Sequence, residues 1–403
     1  SILSTLYFLS NSASSLFVRS SEASCPVPWS ASSTLCPNSN AEGVGRRVLA
    51  MSEAARGATR QLNIQNPSIT INAARDDGAH EEEDERAPGR HARSFFDRAR
   101  ARHPIVRAAI GGSAGKTTTK EMIAAILKAA FGAAVLSTRG NLNNDIGLPL
   151  TLLGLRSSHR AAVIEMGMNH PGEIAYLAPI GAPTVALITN AQRAHLEGMG
   201  DLDEVAREKG AIFSGLPANG IAVINADDAY AGYWRGMAEG RPVRTFAIDG
   251  AADVSAFVRQ HGLEIGIDLV APEGKATLKM RIPGRHNARN AVAAAAACLA
   301  AGVSLSAVVE GLEAFSGVKG RLQRRAGKQG AEILDDTYNA NPDSVRAGID
   351  VLAATIGRKL LVLGDMGEIG QASGQYHDEI GGYAKSQGID RLFALGDQAQ
   401  LAV

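Results

Sequence analysis

Apolar and polar positions follow one another along most of the chain in blocks that suit buried strands and amphipathic helices. An apolar run at 105–110 leads into a glycine-rich turn. Glu121-Met122-Ile123-Ala124-Ala125-Ile126-Leu127 follows, with apolar residues at helical spacing. This predicts strand, turn and helix in that order. Strands are likewise predicted at 133–138, at 161–164 ending on Glu165, at 184–189 ending at Asn190, and at 221–225. Helices are predicted after His170-Pro171-Gly172-Glu173 and at 202–216, 287–301 and 303–315, with Ser304 placed to cap the last. Residues 245–282 read as shorter strands with glycine turns. Beyond residue 319 come strands at 332–335, 360–363 and 392–395, with helices at 342–354 and 377–386.

Before residue 104 this pattern is missing. Residues 1–50 are rich in serine, and the short apolar stretch at 2–8 has no basic residue before it, so it matches a secretory signal poorly. Residues 76–102 carry a charge run, Glu81-Glu82-Glu83-Asp84-Glu85 and then several arginines, of the kind that forms solvated linkers. Three regions are expected. Residues 1–103 are a segment without a core of its own, unstructured or wrongly assigned. Residues 104–318 are a central domain, and 319–403 a C-terminal domain that stops before its pattern is finished.

Composition narrows the function classes. A chain of 403 residues suits two or three domains. Lys plus Arg and Asp plus Glu number 41 each, so no net basic field argues for nucleic acid. Aromatic residues, at 5%, are too sparse for base-stacking platforms. Cys25, Cys36 and Cys298 form neither a disulfide framework nor a zinc pattern. No apolar run reaches the ~18 residues of a membrane helix. The expectation is a cytoplasmic, monomeric protein with small-molecule partners, no nucleic acid and no membrane insertion.

The chemistry centres on Gly111-Gly112-Ser113-Ala114-Gly115-Lys116-Thr117-Thr118-Thr119-Lys120. Ile110 stands where the common G-x-x-x-x-G-K-[ST] P-loop has its first glycine, so this is a more compact version. Gly115 lets the backbone approach a phosphate, and backbone N–H groups at the helix start face the anion. Lys116 can reach the β- and γ-phosphates of ATP, and the Thr117 hydroxyl can hold Mg²⁺. The fold class that fits is α/β: a P-loop-type, mostly parallel central sheet flanked by helices, and an incomplete Rossmann-like C-terminal domain. Two side chains beyond strand ends, Glu165 and His195, are candidate Mg²⁺ ligands, since open α/β sheets bind ligands there.

Several further stretches carry a resemblance. They are Asn141-Leu142-Asn143-Asn144-Asp145-Ile146-Gly147-Leu148-Pro149-Leu150-Thr151, Glu165-Met166-Gly167-Met168-Asn169-His170-Pro171-Gly172-Glu173 and His195-Leu196-Glu197-Gly198. Gly284-Arg285-His286-Asn287-Ala288-Arg289-Asn290-Ala291, Gly320-Arg321-Leu322-Gln323, Asp335-Asp336-Thr337-Tyr338-Asn339-Ala340-Asn341-Pro342 and Leu363-Gly364-Asp365-Met366-Gly367-Glu368 complete them. With the glycine-rich loop, these resemble the Mur ligases from about residue 104 to the end. The wording is most similar to the branch that adds D-alanyl-D-alanine to UDP-N-acetylmuramoyl-tripeptide.

The resemblance implies an ATP-dependent amide ligation through an acyl phosphate, in peptidoglycan precursor synthesis. It implies that Gly111, Gly112, Ser113, Ala114, Gly115, Lys116, Thr117 and Thr118 hold the phosphates. Thr117 and Glu165 would bind one Mg²⁺ and His195 a second. Lys209 matches a carbamylated lysine, which would also ligate Mg²⁺. Asn287 and Asn290 match adenine-side asparagines, Arg321 an arginine that reaches phosphate, and Asp336 an aspartate on the ribose. No stretch before residue 104 resembles the family's uridine-binding domain, so the UDP-linked peptide is expected to bind poorly. Two other readings stay open: another ligase of the same superfamily, against which the motifs after Pro149 argue, and a truncated or decayed nucleotide-binding relative without ligase activity.

Overall fold

A computed structural model of the chain describes residues 4–9, 105–193, 199–367, 369–370 and 372–403. Its strands are numbered from β1 (Ser4–Leu9) and its helices from α1 (Lys116–Phe131). The apolar run before the glycine-rich turn is β2 (Val106–Gly111), and α1 begins at Lys116, directly after that turn. The central sheet adds β3 (Val135–Ser137), β4 (Ala161–Glu165), β5 (Val185–Ile188), β6 (Ile221–Asn225), β7 (Val243–Ala247), β8 (Val254–His261), β9 (Glu264–Ala271) and β10 (Gly274–Met280). Among the described residues the order is β10-β9-β8-β7-β6-β5-β2-β4-β3. Neighbours are parallel from β3 to β8, and the two pairings beyond are antiparallel.

The parallel strands read as continuous apolar runs because both their faces are covered. Every residue of β4 and β5 is buried, including the carboxylate-bearing Glu165 at the end of β4. The helices α1, α6 (Arg285–Ala300) and α7 (Leu305–Ala314) share one core with the sheet, where Met122, Ile123 and Ile126 meet Val163, Leu187 and Val308. The run of alanines in α6 carries little side-chain bulk, so its backbone packs close to its neighbours. The helices α3 (Glu173–Gly181), α4 (Leu202–Gly210) and α5 (Ala231–Met237) bury Leu177, Val205 and Trp234. The Trp234 indole N–H is satisfied by the Ala206 carbonyl at 2.8 Å. The helix expected at 202–216 divides into α4 and a 3-10 turn, Ala211–Gly215. A short α2 (Gly147–Leu153) falls within the Asn-rich motif, where no helix is predicted.

The C-terminal sheet contains β11 (Gln323–Ala326), β12 (Glu332–Asp335), β13 (Arg358–Gly364) and β14 (Arg391–Leu395), with α8 (Pro342–Ala353) and α9 (Ser373–Ser386) between strands. Its order is β11-β12-β1-β13-β14. Thus β1, from the segment where no domain is predicted, lies between β12 and β13 and runs parallel to both, with Thr5 opposite Glu332 and Lys359. The rest of that segment, and with it the expectation about uridine binding, lies outside the described residues.

Candidate active site

The chain leaves β2 for β4 and β3 on one side and returns to β5 on the other. The carboxyl end of β2 is therefore the switch point of the sheet, where adjacent loops diverge and leave a crevice. The glycine-rich loop follows β2 at this place, with Glu165 at the end of β4 and Asn190 after β5.

Two glycines are required by close approach. At Gly112 (φ 139°) an added Cβ would lie 1.9 Å from Thr189 Oγ1, and at Gly115 (φ 80°) it would lie 2.3 Å from Asn290 Oδ1. The segment after β5 holds the loop from outside. Ser113 N–H donates to the Asn190 carbonyl at 3.0 Å and Ala114 N–H to Asn190 Oδ1 at 2.9 Å, while Gln192 N–H donates to Ser113 Oγ at 3.0 Å. Lys116 Nζ donates to the Gly112 and Ser113 carbonyls at 2.7 and 3.0 Å. Burial pulls its ammonium down to about 8; Glu165 acts against that shift and Arg321 adds to it. The side chain lies curled over its own loop, beside the place an anion would take.

Glu165 is 2% exposed. Its Oε1 accepts from Thr117 Oγ1 at 3.2 Å and Asn143 Nδ2 at 2.9 Å, and its buried Oε2 has no hydrogen-bond partner among the described residues. A buried carboxylate oxygen left open is costly unless something else takes it. Arg321 reaches the same place from the C-terminal domain: Nη2 donates to Thr117 Oγ1 at 3.0 Å, and the guanidinium lies 4.2 Å from the centre of the Tyr338 ring.

These groups wall a cavity of about 390 Å³. Its lining includes 113–117, Asn143, Glu165, Glu173, Arg321, Tyr338 and Asn341. Of the predicted site residues, Ser113, Ala114, Gly115, Lys116, Thr117, Glu165 and Arg321 come together there. Gly111, Gly112 and Thr118 shape the loop. Asn287 and Asn290 are buried behind it: Asn287 Nδ2 donates to the Pro283 carbonyl at 2.7 Å, and Asn290 packs on Gly115. Asp336 Oδ1 accepts from Leu322 N–H at 3.1 Å, next to Arg321. His195 lies outside the described residues.

Lys209, near the end of α4, is fully buried, and its Nζ has no hydrogen-bond partner among the described residues. Burial first, and then the charge of Lys116, push the amine well below the usual lysine range, although Glu208 and Glu173 oppose this. Glu208 itself is occupied, accepting from the N–H groups of Gly172 and Ile174 at 2.8 and 2.6 Å at the start of α3.

Sequence reasoning assigned no role to Asn143, Asn190, Glu208 or Tyr338. Asn143 and Tyr338 stand in the motifs that resemble the family, and Asn190 ends a predicted strand. The group each one touches, a side chain for Asn143 and Tyr338 and the backbone for Asn190 and Glu208, is distant in sequence.

The first part of this region, residues 110–298, matches the family model described as Mur ligase middle domain, and residues 320–402 match the one described as Mur ligase, glutamate ligase domain. The chain belongs to the Mur ligase family. This Mur ligase is 45% identical over 295 residues to the UDP-N-acetylmuramoyl-tripeptide–D-alanyl-D-alanine ligase of Escherichia coli (strain K12), an alignment covering 72% of this chain and 64% of the relative. Its fold is similar to a crystal structure of MurF from Acinetobacter baumannii, with a TM-score of 0.73, 39% identity, and 76% of this chain and 67% of the other covered. It is also similar to the MurF ligase of Thermotoga maritima in complex with ADP, with a TM-score of 0.69, 25% identity, and coverage of 83% and 75%. The chain thus spans just under two thirds of the length of the Escherichia coli relative. Among the described residues no helix of this Mur ligase is long and apolar enough to cross a membrane.

Proposed function

We propose that this chain joins D-alanyl-D-alanine to UDP-N-acetylmuramoyl-tripeptide at the expense of ATP, as a cytoplasmic monomer in peptidoglycan precursor synthesis. The observation that carries the reading is the meeting of Lys116, Thr117, Glu165 and Arg321 at one switch-point cavity, in a chain whose relatives bear that ligase name.

A carboxylate is a poor electrophile until one oxygen becomes a good leaving group. In the first step a peptide carboxylate oxygen bonds to the γ-phosphorus of ATP, the bridging P–O bond breaks and ADP leaves. In the second, the amine of D-alanyl-D-alanine bonds to the acyl carbon, the C–O bond to phosphate breaks, and phosphate and a proton leave. The protein's contribution is to hold two anions together and offset their charge. Lys116 turns from its loop carbonyls to the β- and γ-phosphates. Arg321 donates to the transferred phosphoryl group from the other wall. Gly111, Gly112 and Thr118 keep the loop's N–H groups directed inward, Asn287 and Asn290 border the adenine, and Asp336 takes the ribose.

Mg²⁺ fits the open Glu165 Oε2 and the Thr117 hydroxyl, because that ion takes one or two carboxylates and completes its shell with phosphate oxygens and water. When bound it neutralises phosphate charge. His195 is the proposed ligand of a second Mg²⁺. Lys209 is proposed as a carbamate: a buried amine held neutral can bond to CO₂ and lose a proton, becoming an anion beside Lys116.

The test supplies the chain with ATP, UDP-N-acetylmuramoyl-tripeptide and D-alanyl-D-alanine and follows products by mass spectrometry. The expected outcome is ADP, phosphate and the pentapeptide product in equal amounts. ATP-analogue binding without any pentapeptide would overturn ligation and favour a nucleotide-binding relative.

A further inference from the structure

Lys120 is fully buried in the first turns of α1, yet it does not face the cavity. A buried ammonium is costly and persists where its hydrogen bonds accomplish something that an apolar residue would not. Lys120 Nζ donates to the Thr138 carbonyl at 2.7 Å and also pairs with Glu121. Thr138 follows β3, is 1% exposed, and donates its N–H to the Val163 carbonyl at 3.1 Å. Its Oγ1 accepts the backbone N–H of Glu165 at 3.0 Å. The edge strand β3 is three residues long and, among the described residues, pairs only with β4. Such a short edge does not by itself fix the chain that follows it.

We propose that Lys120 and Thr138 form a buried brace that positions Glu165 for magnesium. Lys120 fixes the Thr138 backbone, and Thr138 fixes the backbone of Glu165. The carboxylate is thereby presented with Oε1 against Thr117 and Asn143 and Oε2 open. A metal ligand displaced by more than about 0.5 Å loses much of its value, so a brace behind the ligand matters as much as the ligand. Lys120 touches neither nucleotide nor metal in this arrangement and is a positioning residue. The inference rests on the reading that Glu165 binds Mg²⁺ with the nucleotide.

Calorimetric titration of the full chain with a non-hydrolysable ATP analogue, across a series of Mg²⁺ concentrations and in EDTA, tests it. Lys120→Met removes the donor at similar bulk. Thr138→Val removes the hydroxyl but keeps the carbonyl, and Thr138→Ser restores the hydroxyl. The expected result is a half-saturating Mg²⁺ concentration raised at least tenfold in Lys120→Met and Thr138→Val. Analogue affinity in EDTA should stay within twofold, and Thr138→Ser should behave like the parent. If Lys120→Met does not fold, the comparison of Thr138→Val with Thr138→Ser decides. An unchanged Mg²⁺ midpoint in a folded Lys120→Met or in Thr138→Val overturns the brace and leaves the metal reading standing. Analogue binding by the parent that ignores Mg²⁺ overturns both.

Discussion

Lys116 holds its ammonium against two carbonyls of its own loop, and burial brings it down to about 8. The folded-state value lies below the unfolded one, which has a consequence for stability. Between about pH 8 and the ordinary lysine value, the unfolded chain keeps a proton that the folded chain has shed, so this lysine's contribution to stability rises with pH through that window. Below about pH 8 the charged, buried lysine costs a constant amount. The proposed phosphate binding runs the other way, since it would use the ammonium. The affinity for an ATP analogue should fall about tenfold between pH 7 and pH 9, following the loss of that proton. In Lys116→Met the affinity should drop at least tenfold and the pH dependence vanish, while the melting temperature at pH 7 is no lower than in the parent. Titration calorimetry and thermal melts measure both. A parent-like pH profile in that variant would remove Lys116 from the phosphate site.

At the scale of elements, β1 is the least local feature of the fold. It pairs on both sides with strands that follow it by more than 300 residues. The chain passes from β12 through α8 to β13 and leaves one strand position open between them, which β1 takes. Deleting residues 1–9 should leave the facing N–H and C=O groups of β12 and β13 without partners, which is costly in a sheet interior. Amide exchange within Glu332–Asp335 and Arg358–Gly364 should then accelerate at least tenfold, with exchange in Ala161–Glu165 unchanged. Unaltered exchange in the C-terminal sheet would show that β1 contributes nothing there. Other elements escaped sequence reading for local reasons. Two glycines, Gly232 and Gly236, weaken the helical pattern of α5, and β11 is a polar run, Gln323-Arg324-Arg325-Ala326, held as an edge by its antiparallel partner β12.

At the scale of the whole described fold, Arg321 and the Arg193–Asp343 pair link the C-terminal region to the central domain. Arg193, after β5, forms a two-pronged pair with Asp343 at the start of α8: its Nη2 lies 2.6 Å from Oδ1 and its Nε 3.4 Å from Oδ2. Asp343 holds the Arg193 guanidinium further above its usual range. A partly exposed pair of this geometry contributes about 1 kcal/mol. Its larger effect is expected on Arg321, which lies on the same domain as Asp343 and donates to Thr117. Asp343→Ala should therefore lower phosphate release in the ligation assay at least fivefold. It should lower ATP-analogue affinity less than turnover, because the loop and Asn290 belong to the central domain while Arg321 and Asp336 do not. A loss of affinity as large as the loss of turnover would contradict this division.

The sequence by itself determined what depends on neighbours along the chain. The glycine-rich loop between a strand and a helix, the apolar runs of β2, β4 and β5, the Ser304 cap and the α/β alternation all follow from spacing and residue type, and all appear in the structure. Tertiary structure alone decided which loops meet. Strand order sent β4 and β5 to opposite sides of β2, bringing Glu165 and Asn190 to one loop. It set Arg321 against Thr117 across 204 positions of sequence, buried Lys209 without a hydrogen-bond partner among the described residues and ran β1 between β12 and β13. The physical reason is that periodicity reports which face of an element is buried. Pairing and burial of polar groups depend on which distant segment covers that face, and no local pattern specifies that segment.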